Sequence, residues 1–334
     1  MKALLLLVAL WAALFGDSIL KIATYNVENL FDLEKKGYKY KEYEPNTNSN
    51  WNQRTYKIKL QNIAKVIKEI DADIIALQEV HSLQALKDLR FTLKQNGLYY
   101  QYYSIADKKH TATKVAFLSK LPFTYSKELS VTSTYKYRNI LESKFKINGN
   151  DLYIFINHWK AKSGPESMRI VSAKTLRKRV SEIGYDKNIV LLGDFNSHYE
   201  EFLIFKRNRK HNDTNGKTGI NHVLRTLKQI HRAKDVKYEK ENFYNLWYDT
   251  DASKRYSYIF KGKKEALDNI LISQPLLDKK GISYIDDSIT NLDKNYLFKK
   301  KNIYRWQVSK ARVSKHKGKG YSDHLPVMAK FRVK

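Results

Sequence analysis

Six stretches of the chain are almost continuously apolar: "ILKIATYN" (19–26), "ADIIALQE" (72–79), "VAFLS" (115–119), "LYIFINH" (152–158), "NIVLLGDFN" (188–196) and "ALDNILIS" (266–273). Runs this short and this rich in branched residues predict strands covered on both faces. The last strand follows another pattern. Val327, Ala329, Phe331 and Val333 alternate with Met328, Lys330, Arg332 and Lys334, the period of two expected of a strand with one wet face. Between the strands the period lengthens. Arg54 to Ile70 carries Ile58, Ile63, Val66, Ile67 and Ile70, and Ser82 to Gln95 carries Leu83, Leu86, Leu89 and Leu93 before Gly97. Both read as amphipathic helices. A third helix is predicted over Pro165 to Ile183, with proline at its first turn and Gly184 past its end. Strands and helices are mixed throughout, without a repeat or a flexible linker, which predicts one α/β domain over residues 19–334.

The polar residues that end these runs change the picture. "IATYN" ends on Asn26, "IIALQE" on Glu79, "LYIFINH" on His158 and "IVLLGDFN" on Asp194 and Asn196. Residues two apart on a strand share a face, so Glu79 should extend the row of Ile75 and Leu77, and His158 that of Ile154 and Ile156. The final strand adds Asp323 and His324 at its start, and "ALDNILIS" places Asp268 inside an apolar strand. One such ending is an ordinary turn former or cap; the whole set predicts a site at one rim of a sheet. Its oxygen donors (Asn26, Glu79, Asp194, Asn196, Asp323) suit Mg²⁺, with Mn²⁺ or Ca²⁺ as alternatives, and the absence of thiols and of close His spacing makes zinc the lesser reading. A hard cation beside two imidazoles suits phosphoester hydrolysis. A buried Asp268 needs a partner, and His324 is the partner expected, with Asp323 facing the metal and His324 the attacking water.

Composition adds the substrate class. Lys and Arg number 62 against 34 Asp and Glu, a net charge of +28, which favours a polyanion such as nucleic acid or an anionic membrane surface. Lys294 to Lys319 holds ten Lys or Arg, no acid, and Tyr296, Phe298, Tyr304 and Trp306. It reads either as a loop that binds phosphates and stacks on bases or as a solvated basic loop on a small apolar anchor. At the N-terminus, Ala3 to Phe15 is an apolar run of 13 residues after Lys2, too short to span a bilayer and of the length of a signal-peptide core. Residues 1–18 are therefore expected to be a signal peptide, and the protein secreted or periplasmic. With no cysteine, stability must come from packing rather than disulfides.

The motifs "TYNVENLFD", "WNQRTYKIKLQNIAKVI", "ALQEV", "NHWKAKSG", "LLGDFNS", "RYSYIF", "LDNILIS" and "YSDHLPV", in this order, resemble the endonuclease/exonuclease/phosphatase family, the deoxyribonuclease I-like fold. The resemblance implies a four-layer sandwich of two mixed β-sheets flanked by helices, with a metal-dependent phosphoesterase site at one edge. It implies Glu79 as principal metal ligand with Asn26 and Asp323 nearby, Asp194 and Asn196 as the pair that positions nucleophile and phosphate, and His158 and the His324–Asp268 pair as the proton-handling groups. No carboxylate partner for His158 stands out. Arg255 and Tyr258 of "RYSYIF" are candidate substrate contacts. The leading functional expectation is an exported, monomeric nuclease acting on DNA, or RNA, with little sequence preference. A same-fold phosphoesterase of phospholipid headgroups, with "ENFYNLWY" as a membrane-contacting loop, and a non-catalytic binder are the alternatives.

Overall fold

Three helices of the protein start and stop where local chemistry tells them to. In a computed structural model that describes residues 17–205, 211–226, 233, 239–309 and 314–334, α1 spans Gln53–Ile70, α2 Leu83–Gln95 and α3 Glu166–Ile183. Asn52 caps α1 by accepting from the Arg54 and Thr55 amides while Thr55 answers the Asn52 amide, a reciprocal capping box. Ser82 caps α2 through the Ala85 amide, and Pro165 precedes α3. All three fall within a residue of the expected bounds. The proposed signal peptide, residues 1–16 of which lie outside the described residues, has no structural account.

The strands form two sheets. The first contains β1 (Ser18–Leu30), β2 (Ile74–Val80), β3 (Tyr102–Ile105) and β4 (Lys114–Ser119). The second contains β5 (Phe123–Leu129), β6 (Ile140–Ile147), β7 (Asn150–His158), β8 (Asn188–Asp194) and β9 (Tyr244–Asn245). After a small hairpin, β10 (Tyr258–Phe260) with β11 (Lys263–Glu265), the chain adds β12 (Asp268–Ile272) to the second sheet. It then returns to the first with β13 (Ile282–Tyr284) and β14 (Thr290–Asn291), and with β17 (Val327–Val333) after a hairpin of β15 (Phe298–Lys299) and β16 (Asn302–Ile303). The orders are β13-β17-β1-β2-β4-β3, with β14 on β17, and β5-β6-β7-β8-β12-β9. Each sheet has one parallel pair, β1 with β2 and β7 with β8. A parallel pair needs a crossover, which α1 supplies to the first and α3 to the second.

Three apolar clusters separate four layers. Leu20 and Ile22 of β1, Ile74 and Ala76 of β2, Ile154 and Ile156 of β7, and Val190 and Leu192 of β8 meet between the sheets. The opposite faces are covered too: Ala23, Tyr25, Ile75 and Leu77 lie under α1 and α2, and Phe155, Ile189 and Leu191 under Ala173, Leu176 and Val180 of α3. Strands sandwiched in this way must be apolar on both faces, which is why these were the runs visible in sequence. Strands β5 and β6 were not visible. β5 is an edge strand with mostly part-exposed residues, and β6 carries Glu142, whose buried carboxylate is neutralised by Arg179 of α3 at 2.7 Å.

Candidate active site

The inter-sheet rows end in polar residues at one rim. Across the second sheet, His158, Asp194 and Asp268 are Cα partners on β7, β8 and β12, so a single rung brings them side by side. Their side chains continue the rows of Ile156, Leu192 and Ile270 between the sheets. Gly193, one residue before Asp194, permits this spacing: its φ is +130°, and a Cβ there would lie 2.1 Å from the Asn157 carbonyl oxygen. From the first sheet, Asn26 follows Leu20, Ile22 and Thr24 on the same inward face and donates from Nδ2 to Asp194 Oδ2 at 3.1 Å and to Glu79 Oε1 at 3.2 Å.

Glu79 arrives by a different route from the one its spacing implied. Ile75 and Leu77 face α1 and α2 rather than the other sheet, so simple alternation would send Glu79 away from the rim. The ladder instead breaks between Gln78 and Val80, and Glu79 stands at φ +67°. This extra residue re-aims the side chain into the site, as bulges beside functional sites do. Its carboxylate also accepts from the Asn29 amide at 2.9 Å.

His324 comes from the turn before β17. Ser322 Oγ donates to the Asn26 carbonyl at 2.6 Å and accepts the His324 amide at 3.1 Å, and Tyr258 bridges to His324 with ring centroids 4.9 Å apart. Its Nδ1 lies 2.6 Å from Asp268 Oδ2 and its Nε2 3.9 Å from Asp194 Oδ2. His158 Nε2 approaches that same Asp194 oxygen at 3.5 Å and Glu79 Oε1 at 3.8 Å. Its Nδ1 is buried without a hydrogen-bond partner, as is Asp268 Oδ1. Glu79, His158, Asp194, Asn196, Tyr258, Asp323 and His324 all border one cavity of about 720 Å³, with Asn26 and Asp268 behind them. Asn196 is tied there by its amide, 2.8 Å from Asp194 Oδ1, and by Nδ2 to the Trp159 carbonyl.

Arg255 is the exception. Its Nε donates to the Thr250 carbonyl at 2.8 Å and its guanidinium lies over Tyr199 and Tyr248, away from the cavity's lining; a sequence motif marks neighbours in the chain, and of "RYSYIF" Tyr258 and Phe260 reach the cavity. The nucleic-acid reading of Lys294 to Lys319 also changes. Trp306 is 2% exposed, and Tyr296 and Phe298 pack on the core under α1, so the aromatics anchor the segment; residues 310–313 lie outside the described ones. Phe243, Tyr244, Leu246 and Trp247 of "ENFYNLWY" are likewise buried, which removes the membrane-loop reading.

Several residues of the site had no sequence signal. Glu28, at φ +49°, donates its amide to Asn26 Oδ1 at 3.0 Å. Its buried carboxylate accepts from Arg305 Nε at 2.8 Å and the Trp306 amide at 2.9 Å, and Arg305 reaches Asp323 at 3.2 Å. The charge in "TYNVENLFD" was the one available hint. Arg138 and Lys162 border the cavity from loops.

Burial dominates the electrostatics. It pushes the Asp194 carboxyl up to about 7, with His324 opposing and Asp268 and Glu79 reinforcing the rise, and it pushes Glu28 up to about 8, with Asp323 adding and Lys59 and Arg305 opposing. His158 is held well below its usual value by burial, with Arg138 and His324 adding to the effect. Burial would depress His324 as well, yet the Asp268 charge and hydrogen bond, with Asp194 and Asp323, hold it well above. The donor set therefore fits a hard divalent cation: oxygen-rich, short of positive charge at Asp194, and holding an unpartnered carboxylate oxygen on Asp268. Donor atoms of Asp194, Asp268 and His324 lie within 4.8 Å of one another, but His324 Nδ1 is committed to Asp268.

A two-sheet sandwich with paired imidazoles and carboxylates at one rim defines a phosphoesterase class of protein. The profile of the Endonuclease/Exonuclease/phosphatase family matches residues 21–333, and the chain belongs to that family, whose enzymes are divalent-metal-dependent phosphoesterases. Among solved structures it is similar to humanized D. rerio TDP2 carrying 14 mutations, at 13% identity and a TM-score of 0.58, over 94% of this chain and 98% of that one. A family protein from Bacteroides thetaiotaomicron shares 15% identity with a TM-score of 0.57, over 96% and 100%. The mannosyl-6-phosphatase of the same organism shares 16% with a TM-score of 0.55, over 93% and 99%. Identities this low carry the fold and not the substrate. No curated protein matches the chain by sequence.

Proposed function

We propose that the protein is a divalent-metal-dependent nuclease that hydrolyses phosphodiester bonds of DNA, or of RNA, with little sequence preference, and that it is exported by its N-terminal segment to the cell exterior or periplasm. The observation that carries the reading is the pairing of two imidazoles with carboxylates in one cavity, on a chain of net charge +28; of the cations at its border, Lys162 is paired with Glu201 and Glu265 while Arg138 is left to face a phosphate. A field of that size draws polyanions. A D. rerio TDP2 of the same fold is complexed with single strand DNA product, which supports a nucleic-acid substrate. No helix among the described residues is long and apolar enough to cross a membrane.

Glu79 and Asn26, with Asp323 and Asp194 at hand, would hold Mg²⁺, or Mn²⁺ or Ca²⁺, which when bound supplies Lewis-acid polarisation of a phosphoryl oxygen. Asp268 fixes the tautomer and orientation of His324, leaving Nε2 to exchange the proton. Asp194, held by Asn26 and the Asn196 amide, stands between both imidazoles and orients the attacking water. The raised His324 suits donation to the leaving oxygen and the depressed His158 suits acceptance from water, the reverse of the assignment of His324 to water made from sequence. Asn196 is placed to contact the phosphate.

One observation favours a phospholipid headgroup instead: Ile204 and Phe260, 47% and 54% exposed, form an apolar side of the same cavity. Supercoiled plasmid separates the two. Nicking in Mg²⁺ that EDTA abolishes supports the nuclease; headgroup release from anionic vesicles with intact plasmid overturns it.

A further inference from the structure

The structure leads from the catalytic cavity into a second, basic cleft that the phosphoester chemistry does not use. Tyr40 and Arg138 border both the catalytic cavity and a cleft of about 190 Å³. That cleft is lined further by Tyr38, Tyr135, Lys136 and Lys160. Through Tyr38 and His110 it continues into a third hollow of about 500 Å³, which adds Lys108, Lys109 and Lys114. Six cations line this path. The acid lining it, Asp107, is paired with Lys114 at 3.3 Å.

Two of its aromatics are out of place for a folded core. Tyr38 is 60% and Tyr135 67% exposed, whereas Tyr296, Phe298 and Trp306 of the basic 294–319 segment are turned inward. Exposed rings cost solvation without packing, and rings set among cations along a groove offer what an unpaired strand needs, a face for each base and a charge for each phosphate. A duplex stacks its own bases and leaves such faces unused.

Resting on the nuclease reading above, we propose that this cleft is a binding track for single-stranded polynucleotide, in which Tyr38 and Tyr135 stack on bases while Lys136 and Lys160 contact phosphates on the way to the catalytic cavity. The track makes a single strand, or a locally unpaired one, the preferred substrate.

The test is binding of fluorescent 12-mer oligo(dT), oligo(U) and a 12-base-pair duplex to the full chain in EDTA, by anisotropy, for wild type, Tyr38→Ala, Tyr135→Ala, Lys136→Ala and the two Tyr→Phe variants. Each Tyr→Ala should weaken single-strand binding by about tenfold, with Tyr→Phe close to wild type and turnover of bis(p-nitrophenyl) phosphate in Mg²⁺ unchanged. Lys136→Ala should lower the log-log salt slope by about 0.7. Tyr→Ala variants that bind single strands as wild type does, or a wild type that prefers duplex, overturn the track. Wild type that binds oligo(dT) but cuts neither plasmid nor the small diester leaves the track standing and refutes the nuclease reading, so the two failures are distinguishable.

Discussion

Two imidazoles approach one carboxylate oxygen, Asp194 Oδ2, at 3.5 and 3.9 Å, yet they are built on opposite principles. His158 ends a central strand and is placed by the β7–β8 ladder itself, with Nδ1 unpartnered and no carboxylate behind it. His324 sits in a turn and is placed by contacts from separate segments: Asp268 on Nδ1, Ser322 on its amide, and Tyr258 through a single backbone bridge and against its ring. Ladder placement leaves an imidazole's charge to burial, which favours the neutral form of His158; a carboxylate hydrogen-bonded to the ring overrides burial, which favours the protonated form of His324. Position and proton affinity are thus separable, and in the proposed mechanism the difference provides an acceptor and a donor from one residue type.

Removing either ring should give the largest effects. His324→Ala and His158→Ala are each expected to lower plasmid nicking by about 10²–10⁴-fold with DNA binding retained in EDTA. The comparison predicts an asymmetry as well. A leaving group as good as p-nitrophenolate needs no donated proton, so His324→Ala should lose much less on a nitrophenyl phosphodiester than on DNA, while His158→Ala should lose equally on both. Equal losses for His324→Ala would break the assignment of donor and acceptor. Next in size, Asp268→Asn should cost nearly as much as His324→Ala, and the double variant little more than either, since the two act as one unit.

Stability against pH should separate the rings in metal-free protein. His158 has a folded pKa below its unfolded value of about 6.5, so its contribution is full above that pH and is lost as pH falls below it. His324 has a folded pKa above, so its contribution is full below about 6.5 and is lost as pH rises through the folded value. Urea titrations in EDTA should show His158→Asn flattening the acid side of the profile and His324→Asn the neutral-to-alkaline side. Slopes changing in the same direction would refute the opposed charges.

The same contrast explains what could be read in advance. His158, Asp194 and Asp268 continue apolar rows, so periodicity exposed them, along with the double-sided strands that carry them. Glu79 was found for a reason the structure changes, since its bulge at φ +67° defeats alternation. Glu28, Arg305 and Arg138 come from loops or break no pattern of spacing, and the cation-lined cleft depends on segments far apart in sequence meeting in space. Tyr296 and Trp306 misled because a basic, aromatic composition does not say which way a ring points. Arg255 was chosen by its neighbours in the chain; with its guanidinium held at Thr250, Arg255→Ala should leave turnover within about twofold and cost about 1 kcal/mol of stability.

A modest loss of turnover is expected at Ser322, a residue that touches neither imidazole ring. Its hydroxyl joins the Asn26 carbonyl to the His324 amide, so it fixes the turn against β1 while the Asp268 pair remains. Ser322→Ala leaves a buried amide and carbonyl without that partner, a cost of about 1–3 kcal/mol in stability. It also frees His324 to tilt, for which a loss of several-fold in kcat with KM unchanged is expected. No single hydroxyl has this role for His158, because a whole ladder of β7–β8 hydrogen bonds holds it. A Ser322→Ala variant with unchanged kcat would mean that Asp268 and the bridge to Tyr258 place His324 without the hydroxyl, and Ser322 would then be a passive part of the connection between β16 and β17.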